Sequence, residues 1–406
     1  MPKHYLTESV YDAAIDRIKY TFDNFERIYL SFSAGKDSTV MLHLVMEEAI
    51  KRNQKIGVLF IDLEGQYKLT IDHARKCFEM YSEHIELYWV CLPIHLRNAV
   101  SVFETHWICW DENQKQNWIR PLPKEAINNT NYFDFFHEGM EFEEFVPLFG
   151  DWYSQGKNCA CFVGIRADES LNRFRTIASN KKQRFLGKNF TTKVINDVYN
   201  IYPIYDWKTS DIWIYHAKFT DKPSNRLYDL MHKAGLKISQ MRICQPYGDD
   251  QRRGLWLFHL IEPETWALVV ARVNGANSGA LYVNESGNIT GYRKINLPKG
   301  HTWESFANLL INSMPPKTKL HYQNKISVFV KWWKERGYPD GIPDEADIKL
   351  EADRKVPSWR RVCKSLLRND YWCKGLSFTQ SKSDAYEKYL KLMEERKTKW
   401  QLKIFN

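Results

Sequence analysis

The sequence contains no apolar run that approaches the roughly 20 residues of a membrane-spanning helix. Its first six residues lack the apolar core of a secretory signal peptide. We therefore expect a cytoplasmic protein with no membrane partner. In the cytoplasm, the eight cysteines are expected to be thiols or ligands rather than disulfides. The chain also has no internal repeat, so a fold built from repeated units is excluded.

Charge and hydrophobic residues are distributed unevenly along the 406 residues. With 44% hydrophobic residues the chain is large enough for two or three domains with sizeable cores. Residues 316–406 contain 21 lysines and arginines against 12 aspartates and glutamates, so they account for the whole net charge of +9. This asymmetry indicates a polyanionic partner such as DNA, or else a solvated basic face.

The hydrophobic pattern of the first part of the chain alternates between strands and helices. After a first helix at 7–25, strands are predicted at 27–32, 55–62 and 85–91, with helices at 36–51 and 70–81. This order predicts an α/β fold with a parallel sheet and helices on both faces. We expect this domain to cover residues 1–254, with an aromatic-rich insertion at 95–155 that forms a lid or a substrate wall. Residues 255–406 are expected to form a mixed, mostly helical domain, with a helical section from about 324 and a last helix at 384–400.

One loop lies between the predicted strand at 27–32 and the predicted helix at 36–51. Its residues are Ser33, Ala34, Gly35, Lys36, Asp37 and Ser38. Small residues let a backbone approach an anion, and the free amides at a helix start donate to phosphate oxygens. The lysine adds a point charge, and the serines add hydroxyl donors. The spacing is not that of a Walker loop. The alternative is an ordinary tight turn with a serine or aspartate cap.

Loop 33–38 resembles the Ser-Gly-Gly-Lys-Asp-Ser signature of the PP-loop ATP pyrophosphatases, with Ala34 in place of one of its two glycines. Alanine suits this position if its φ is negative. Three more segments resemble the branch that contains phosphoadenosine phosphosulfate (PAPS) reductase and the small subunit of sulfate adenylyltransferase. These segments are residues 164–170 with Arg173, residues 202–213 and residues 225–229. The resemblance implies an adenine nucleotide alpha-hydrolase-like fold.

The resemblance also implies a binding site for ATP with Mg²⁺, and cleavage of ATP to AMP and pyrophosphate. The implied nucleotide-binding residues are Ser33, Ala34, Gly35, Lys36, Asp37, Ser38, Asp62, Glu64, Gly164, Arg166, Asp168 and Arg173, with Lys36, Asp37 and Arg166 as the catalytic members. Asp62 and Glu64 would bind ribose or a metal ion, although Asp62 is also suited to cap the next helix. Asp168 would orient Arg166 or Arg173, or else form a surface ion pair. Asp206 is expected to cap a helix.

The cysteines do not match those of the sulfur-handling relatives. PAPS-type reductases resemble this chain but carry a Glu-Cys-Gly-(hydrophobic)-His motif, which is absent here, so we expect no sulfonucleotide reductase activity. Iron–sulfur relatives carry Gly-Cys-x-Pro-Cys, where this chain has Cys244 and then Tyr247. Cys244 is therefore a buried thiol or a carrier of persulfide sulfur. Cys159 and Cys161 are spaced C-x-C at a predicted strand start and do not by themselves make a convincing metal pair, so no protein metal site is predicted.

The segment at 241–251 resembles the start of the DUF3440 extension in immunoglobulin-binding regulator A-type proteins, which are described as co-activators of prophage genes with a ParB-like partner. Two functions remain open. One is an enzyme that adenylates an acceptor, such as DNA in phosphorothioation-type sulfur transfer. The other is an ATP-binding transcriptional co-activator. Arg360 and Arg361 are the predicted nucleic-acid contacts. The aromatic residues interleaved with the basic section are Trp332, Trp333, Trp359, Tyr371, Trp372 and Trp400.

Overall fold

The structure, a computed structural model, describes residues 7–101, 103–179, 182–243, 247–248, 254–276 and 295–378. It divides into two compact units. The sheet unit comprises Met1–Ile94 and Cys109–Ile243, and the C-terminal unit comprises His95–Ile108 and Cys244–Asn406. The change of unit at Ile243 lies before the boundary expected near residue 254. Of the predicted insertion at 95–155, only the first part belongs to the C-terminal unit.

The sheet unit alternates helices and strands as predicted. Its helices are α1 (Val10–Asn24), α2 (Lys36–Lys51), α3 (Lys68–Met80), α4 (Phe142–Ser154), α5 (Leu171–Ala178), α6 (Thr209–Lys218) and α7 (Leu227–Lys233). Its strands are β1 (Arg27–Ser31), β2 (Ile56–Ile61), β3 (Ile85–Val90), β6 (Cys159–Val163), β7 (Thr191–Ile195) and β8 (Val198–Ile201). The strands β4 (His95–Arg97) and β5 (His106–Ile108) pair with each other in the C-terminal unit.

The six strands of the sheet unit form one sheet in the order β3-β2-β1-β6-β8-β7. All neighbours are parallel except β7 and β8, which are antiparallel. Strand β2 is buried along its whole length, as expected for a strand covered on both faces. The predicted fold class, a mostly parallel sheet surrounded by helices, is confirmed. Because β1, β2 and β6 are parallel, their carboxyl ends meet at one edge, where loop 33–38 begins.

Helix α4 lies in the predicted insertion but packs on the sheet. The hydroxyl of Tyr153 accepts a hydrogen bond from the amide of Gly57 at 3.0 Å and donates one to the carbonyl of Ile28 at 3.0 Å. A Cβ atom on Gly57 would lie 2.8 Å from the Tyr153 ring, so only glycine fits there. The aromatic residues of this segment are therefore partly sheet cover, and the expectation that all of 95–155 is an insertion is wrong for α4.

The predicted cap at Asp206 is also wrong. Its carboxylate instead forms two hydrogen bonds with the guanidinium of Arg17, at 2.9 and 2.7 Å. Helix α6 is capped by Asp211, which accepts from the amide of Lys208 at 2.7 Å. Asp206 thus ties α1 to the segment that precedes α6.

The described part of the C-terminal unit is largely helical. Its helices are α8 (Leu255–Ile261), α9 (Pro263–Arg272), α10 (Trp303–Asn312), α11 (Pro316–Lys334), α12 (Ile348–Ala352) and α13 (Trp359–Leu367). Residues from α10, α11 and α13 form one buried cluster that includes Trp303, Tyr322 and Val362. Helix α11 begins before the predicted start near 324, and the predicted helix at 384–400 lies outside the described residues. No described helix has the length and apolar character that crossing a bilayer requires.

Candidate functional site

Loop 33–38 makes a sharp turn between β1 and α2. Ala34 has a φ of +55°, in the left-handed region, and Gly35 has an ordinary φ of −79°. The condition under which alanine suits this position, a negative φ, is therefore not met. The turn directs the Ala34 carbonyl to the side-chain amide of Asn225, which donates to it at 3.0 Å. A left-handed alanine costs about 1–2 kcal/mol, so the loop contains local strain.

The amides of the loop are largely free to bind a ligand. Among the described residues, no acceptor pairs with the amides of Ala34, Gly35, Asp37 or Ser38. The amide of Lys36 donates to the Tyr228 hydroxyl at 3.0 Å. Unpaired amides at a helix start carry partial positive charge and form a binding site for an anion.

The two serines of the loop are paired with each other. Their Oγ atoms are 3.0 Å apart, and the Ser38 hydroxyl lies 3.1 Å from the Gly35 carbonyl, to which it donates. Ser33 is exposed whereas Ser38 is buried. The contact between the two serines spans the turn, and the Ser33 hydroxyl remains at the surface of the loop.

Three charged side chains form a cluster at the start of α2. The carboxylate of Asp37 lies 3.1 Å from Lys36 Nζ and also accepts from Arg166 Nε. Lys36 is 5% exposed and Arg166 is 1% exposed. Two cations and one anion leave the buried cluster with a surplus of one positive charge. Burying an unbalanced charge is costly unless a partner of opposite sign arrives, so the cluster favours an anionic ligand.

Neutral groups hold the two cations in place. Lys36 Nζ donates to the Met241 carbonyl at 3.2 Å, and Arg166 donates to the Thr209 hydroxyl at 3.2 Å. These contacts fix the cations without cancelling their charge. The cluster is therefore held in place before any ligand binds.

Gly164 brings the end of β6 close to α2. A Cβ atom at this position would lie 3.0 Å from both the amide nitrogen and the Cα of Ser38. Any side chain would push the segment that carries Arg166 away from loop 33–38. The glycine predicted from the motif is thus required by a close approach of two backbones.

Three residues that support the loop had no role predicted from the sequence. Asn225 anchors the Ala34 carbonyl, Tyr228 caps the Lys36 amide, and His216 Nε2 lies 3.2 Å from the Lys36 carbonyl. Burial lowers the pKa of His216, so the ring is neutral and donates through Nε2. Asn225 and Tyr228 belong to the motif at 225–229, which could have indicated them, but His216 carries no such signal.

Asp62 lies at the end of β2 and is fully buried. One carboxylate oxygen accepts from Trp89 Nε1 at 2.8 Å. The other accepts from the Glu64 amide at 3.0 Å and from Arg120. Protein donors therefore contact both oxygens, and Asp62 does not cap α3. The predicted contact with ribose or a metal ion would require the exchange of one of these bonds.

Glu64 is also engaged by the protein. Its carboxylate accepts from the amide of Trp110 at 2.6 Å and from that of Ile119 at 3.2 Å. Within the described residues, no group of three or more histidine, cysteine or acidic side chains is arranged to hold a metal ion. The carboxylates around this edge of the sheet therefore do not fit a resident Mg²⁺ ion.

Other carboxylates form ion pairs with the two arginines near Asp168. Arg166 pairs with Asp37, and Arg173 pairs with Glu169. The backbone carbonyl of Glu169 also accepts from Arg242 at 2.7 Å. Asp168 is exposed, and its predicted role stays a prediction. Glu169, the neighbour of Asp168, thus contacts both Arg173 and Arg242.

Arg360 does not present its guanidinium to a ligand. It lies 3.0 Å from Glu351 and 2.9 Å from Glu345 in two ion pairs. Burial, the largest single influence, acts to raise the pKa of Glu351, but the hydrogen bonds from Arg360 and Ser358 and the charge of Lys364 together lower it. The prediction that Arg360 contacts nucleic acid is wrong, because its charge is already neutralised within the C-terminal unit.

Arg361 is 4% exposed and is likewise internal. Its guanidinium donates to the carbonyls of Val356 and Gly375, the latter at 2.9 Å, and lies over the Phe329 ring. It therefore links three parts of the C-terminal unit. The prediction that Arg361 contacts nucleic acid is wrong, because its guanidinium is buried and donates to carbonyls of the protein.

The described cysteines are buried, as expected for structural thiols. Burial raises the pKa of Cys363 and of Cys373 to about 12 each, so neither is a ready thiolate nucleophile. Burial also raises the pKa of Cys161 to about 12. Cys244, the predicted sulfur carrier, lies outside the described residues.

Comparisons with known proteins match both parts of the chain. Residues 27–234 match the phosphoadenosine phosphosulfate reductase domain, and residues 235–342 and 338–387 match a domain of unknown function, DUF3440. The uncharacterized protein YbdN of Escherichia coli K12 is 44% identical over 395 residues, which cover 97% of this chain and 96% of YbdN.

Two further comparisons involve more distant proteins. The uncharacterized protein MJ0973 of Methanocaldococcus jannaschii is 26% identical over 227 residues, covering 54% of this chain and 44% of that protein. A crystal structure of PAPS reductase from Candida auris is 15% identical, covers 57% of this chain and 95% of that chain, and gives a TM-score of 0.31. Because the first domain match covers just over half of the chain, and its motifs predicted the same family, this protein belongs to the phosphoadenosine phosphosulfate reductase domain family and carries a DUF3440 extension.

Proposed function

We propose that the protein is an ATP pyrophosphatase that binds the phosphates of ATP at loop 33–38, releases pyrophosphate and transfers AMP to an acceptor. The observation that carries this proposal is the combination of four free amides with a buried cluster of surplus positive charge, formed by Lys36, Asp37 and Arg166. A polyphosphate supplies the negative charge that the cluster lacks. The lack of the reductase cysteine motif supports group transfer rather than reduction.

The site suits a reaction in which negative charge moves onto a leaving group. Attack on the α-phosphorus of ATP breaks the bond to the β-phosphate oxygen, and the pyrophosphate takes the electron pair. The amides at the start of α2, with Lys36 and Arg166, would stabilise that charge. Asp37 would hold the two cations in position, and no covalent enzyme nucleophile is needed.

Mg²⁺ enters this proposal as a part of the substrate, since ATP carries the ion on its phosphates. The nearby carboxylates of Asp62 and Glu64 already accept hydrogen bonds from the protein. Their proposed role is therefore to shape the edge of the sheet beside the nucleotide. Arg120, which pairs with Asp62, belongs to the same edge.

The acceptor determines the biological role. An oxygen nucleophile, such as a DNA phosphate in the sulfur-transfer hypothesis, would take the adenylyl group at the α-phosphorus. A co-activator that binds ATP without cleaving it would use the same phosphate contacts. These two hypotheses differ in whether pyrophosphate is released.

The test is to incubate the purified full chain with Mg²⁺ and ATP labelled at the α-phosphate, with and without DNA. Product analysis should show labelled AMP or an adenylated acceptor, together with pyrophosphate. Lys36→Ala should lower this rate about 100- to 1000-fold, the usual cost of losing one preorganised donor. The control is Lys51→Ala, because Lys51 is exposed at the far end of the same helix.

ADP as the product, or equal rates for Lys36→Ala and Lys51→Ala, would contradict the proposal. ATP binding without any cleavage under all conditions would favour the ATP-binding co-activator.

A further inference from the structure

The C-terminal unit contains a cavity of about 430 Å³ beside the second half of α11. Pockets of about 300–1,000 Å³ are typical for small organic ligands. It is formed by one face of α11, by two basic residues that follow α12, and by a short segment near residue 376. The lining residues are Val328, Phe329, Trp332, Trp333, Arg354, Lys355, Leu376, Ser377 and Phe378.

Aromatic side chains make up much of the wall. Trp332 is 47% exposed although it belongs to the cavity, and the guanidinium of Arg336 lies 4.1 Å from its ring centroid. Phe378 lies under the ammonium group of Lys325 at 4.9 Å. An exposed tryptophan with cations over the aromatic wall is suited to stack on a flat, electron-rich ring.

The charged residues that line the cavity are both basic. Arg354 is exposed, and its guanidinium has no partner among the described residues. Lys355 lies 3.3 Å from Asp353, but both groups are exposed, so this pair contributes little. Residues 316–406 carry the whole positive surplus of the chain, and the residues that line this cavity belong to that section. The cavity thus has an aromatic wall and a cationic rim.

Two of the lining residues have an unusual backbone conformation. Arg354 has a φ of +62° and Ser377 a φ of +73°, and neither is a glycine. Left-handed residues other than glycine are uncommon, and such strain is concentrated at ligand sites. Both residues line the cavity, so the strained backbone lies at the candidate binding site.

We propose that this cavity binds a base of single-stranded nucleic acid, with Trp332 stacking on the base and Arg354 and Lys355 contacting the adjacent phosphate. A base carries the flat ring that the wall suits, and a phosphate carries the charge that the rim suits. Paired bases of a duplex cannot enter a cavity, so single strands are preferred. This inference is independent of the proposed function, because ATP cleavage was assigned to the sheet unit.

The test measures the anisotropy of a fluorescein-labelled single-stranded DNA of about 12 nucleotides, at several salt concentrations, with the full chain. Trp332→Ala should weaken binding roughly tenfold or more, as loss of a stacked base does. Arg354→Glu should lower the slope of log affinity against log salt by about 0.7, as expected for one lost phosphate contact. AMP and a duplex of the same sequence serve as competitors.

Two matched variants control for general effects. Trp256→Ala removes another exposed tryptophan, and Lys317→Glu makes the same kind of charge reversal at another exposed position of the C-terminal unit. Both should bind the strand nearly as the wild type does, and thermal melting should show that all four variants are folded. Equal affinity of Trp332→Ala and Trp256→Ala would overturn the proposal, as would tighter binding of the duplex than of the single strand, or no binding of the strand by the wild type at low salt.

Discussion

Arg166 and Arg361 are both buried arginines, and both were expected from the sequence to contact an anionic ligand. In the sheet unit, Arg166 shares Asp37 with Lys36, so the local cluster keeps a surplus positive charge beside four free amides. In the C-terminal unit, Arg361 donates to the backbone carbonyls of Val356 and Gly375, and it lies against Phe329. Arg166 therefore belongs to a candidate ligand site, whereas Arg361 stabilises the C-terminal unit.

The two predictions rested on different signals. Arg166 was selected from its place in a family motif, residues 164–170. Arg361 was selected because it lies in a section with many positive charges. A charge count records how many cations a section has but not which of them are exposed. The sequence of that section therefore predicts its overall charge and not its contact residues.

The largest expected effect is on Arg166. Arg166→Ala should lower AMP formation about 100- to 1000-fold, because the proposed site loses one of its two cations. Arg361→Ala should leave the rate per folded molecule within about twofold, since Arg361 belongs to the C-terminal unit and its contacts with Val356, Gly375 and Phe329 lie within that unit. Steady-state AMP production, corrected for the folded fraction, measures both. Similar losses in the two variants would contradict the contrast drawn between them.

The next effect concerns stability. Arg361→Ala should lower the free energy of unfolding of the C-terminal unit by about 3 kcal/mol, because the charged hydrogen bonds of a buried guanidinium to two backbone carbonyls are lost. Urea unfolding followed by circular dichroism would measure it. Arg336→Ala is the control, since Arg336 is exposed, and its loss should cost less than about 0.5 kcal/mol. A nucleic-acid role for Arg361 would instead predict an unchanged stability.

A third effect depends on pH, because the sheet unit also contains a buried histidine that stays neutral. Burial lowers the pKa of His73 to about 3, and its Nε2 lies 2.9 Å from the Thr39 hydroxyl. The unfolded chain takes up a proton near pH 6.5 but the folded chain does not. Stability from this group is therefore complete above pH 6.5 and falls as the pH is lowered, by up to about 1.4 kcal/mol per pH unit, until the folded state is protonated near pH 3.

The measurement for His73 is urea unfolding at intervals from pH 7 to pH 4. His73→Gln should show a shallower dependence on pH than the wild type. An unchanged slope would mean that other groups account for the loss of stability in acid.

The smallest expected effect concerns the strained turn. Ala34→Gly should raise the free energy of unfolding by about 1 kcal/mol, because glycine adopts a positive φ without the penalty that alanine has. Gly35→Ala is the matched change, and no gain is expected there since the φ of Gly35 is negative. A thermal melt of the three proteins compares them. A destabilised Ala34→Gly variant would show that the turn is not strained in solution.

Much of the sheet unit was predictable from local patterns. The helix predicted at 36–51 has those bounds in α2, because a glycine-containing turn precedes it and polar residues follow it. The predicted strands agree with β1, β2 and β3 because buried parallel strands are continuous apolar runs. The insertion was harder to predict, since the aromatic residues of α4 cover the sheet although they are remote from it in sequence.

In the candidate site, too, local features were predictable from the sequence and long-range contacts were not. The motif residues of loop 33–38 are adjacent in the chain, so their meeting at the start of α2 follows from the local strand–loop–helix order. The approach of Asn225, His216 and Tyr228 to this loop depends on contacts about 180–190 residues apart in sequence. No local pattern encodes such contacts.

The sequence by itself determined the order of helices and strands, the family, and a loop able to bind an anion, because these depend on patterns between neighbouring residues. Only the tertiary structure decided which charged groups are available. It gave Asp62, Glu64 and Arg361 hydrogen-bond partners within the protein and left the cluster around Lys36 with unbalanced charge. The physical reason is that a polar group must find a partner when it loses water, and the packing of distant segments determines which partner it finds.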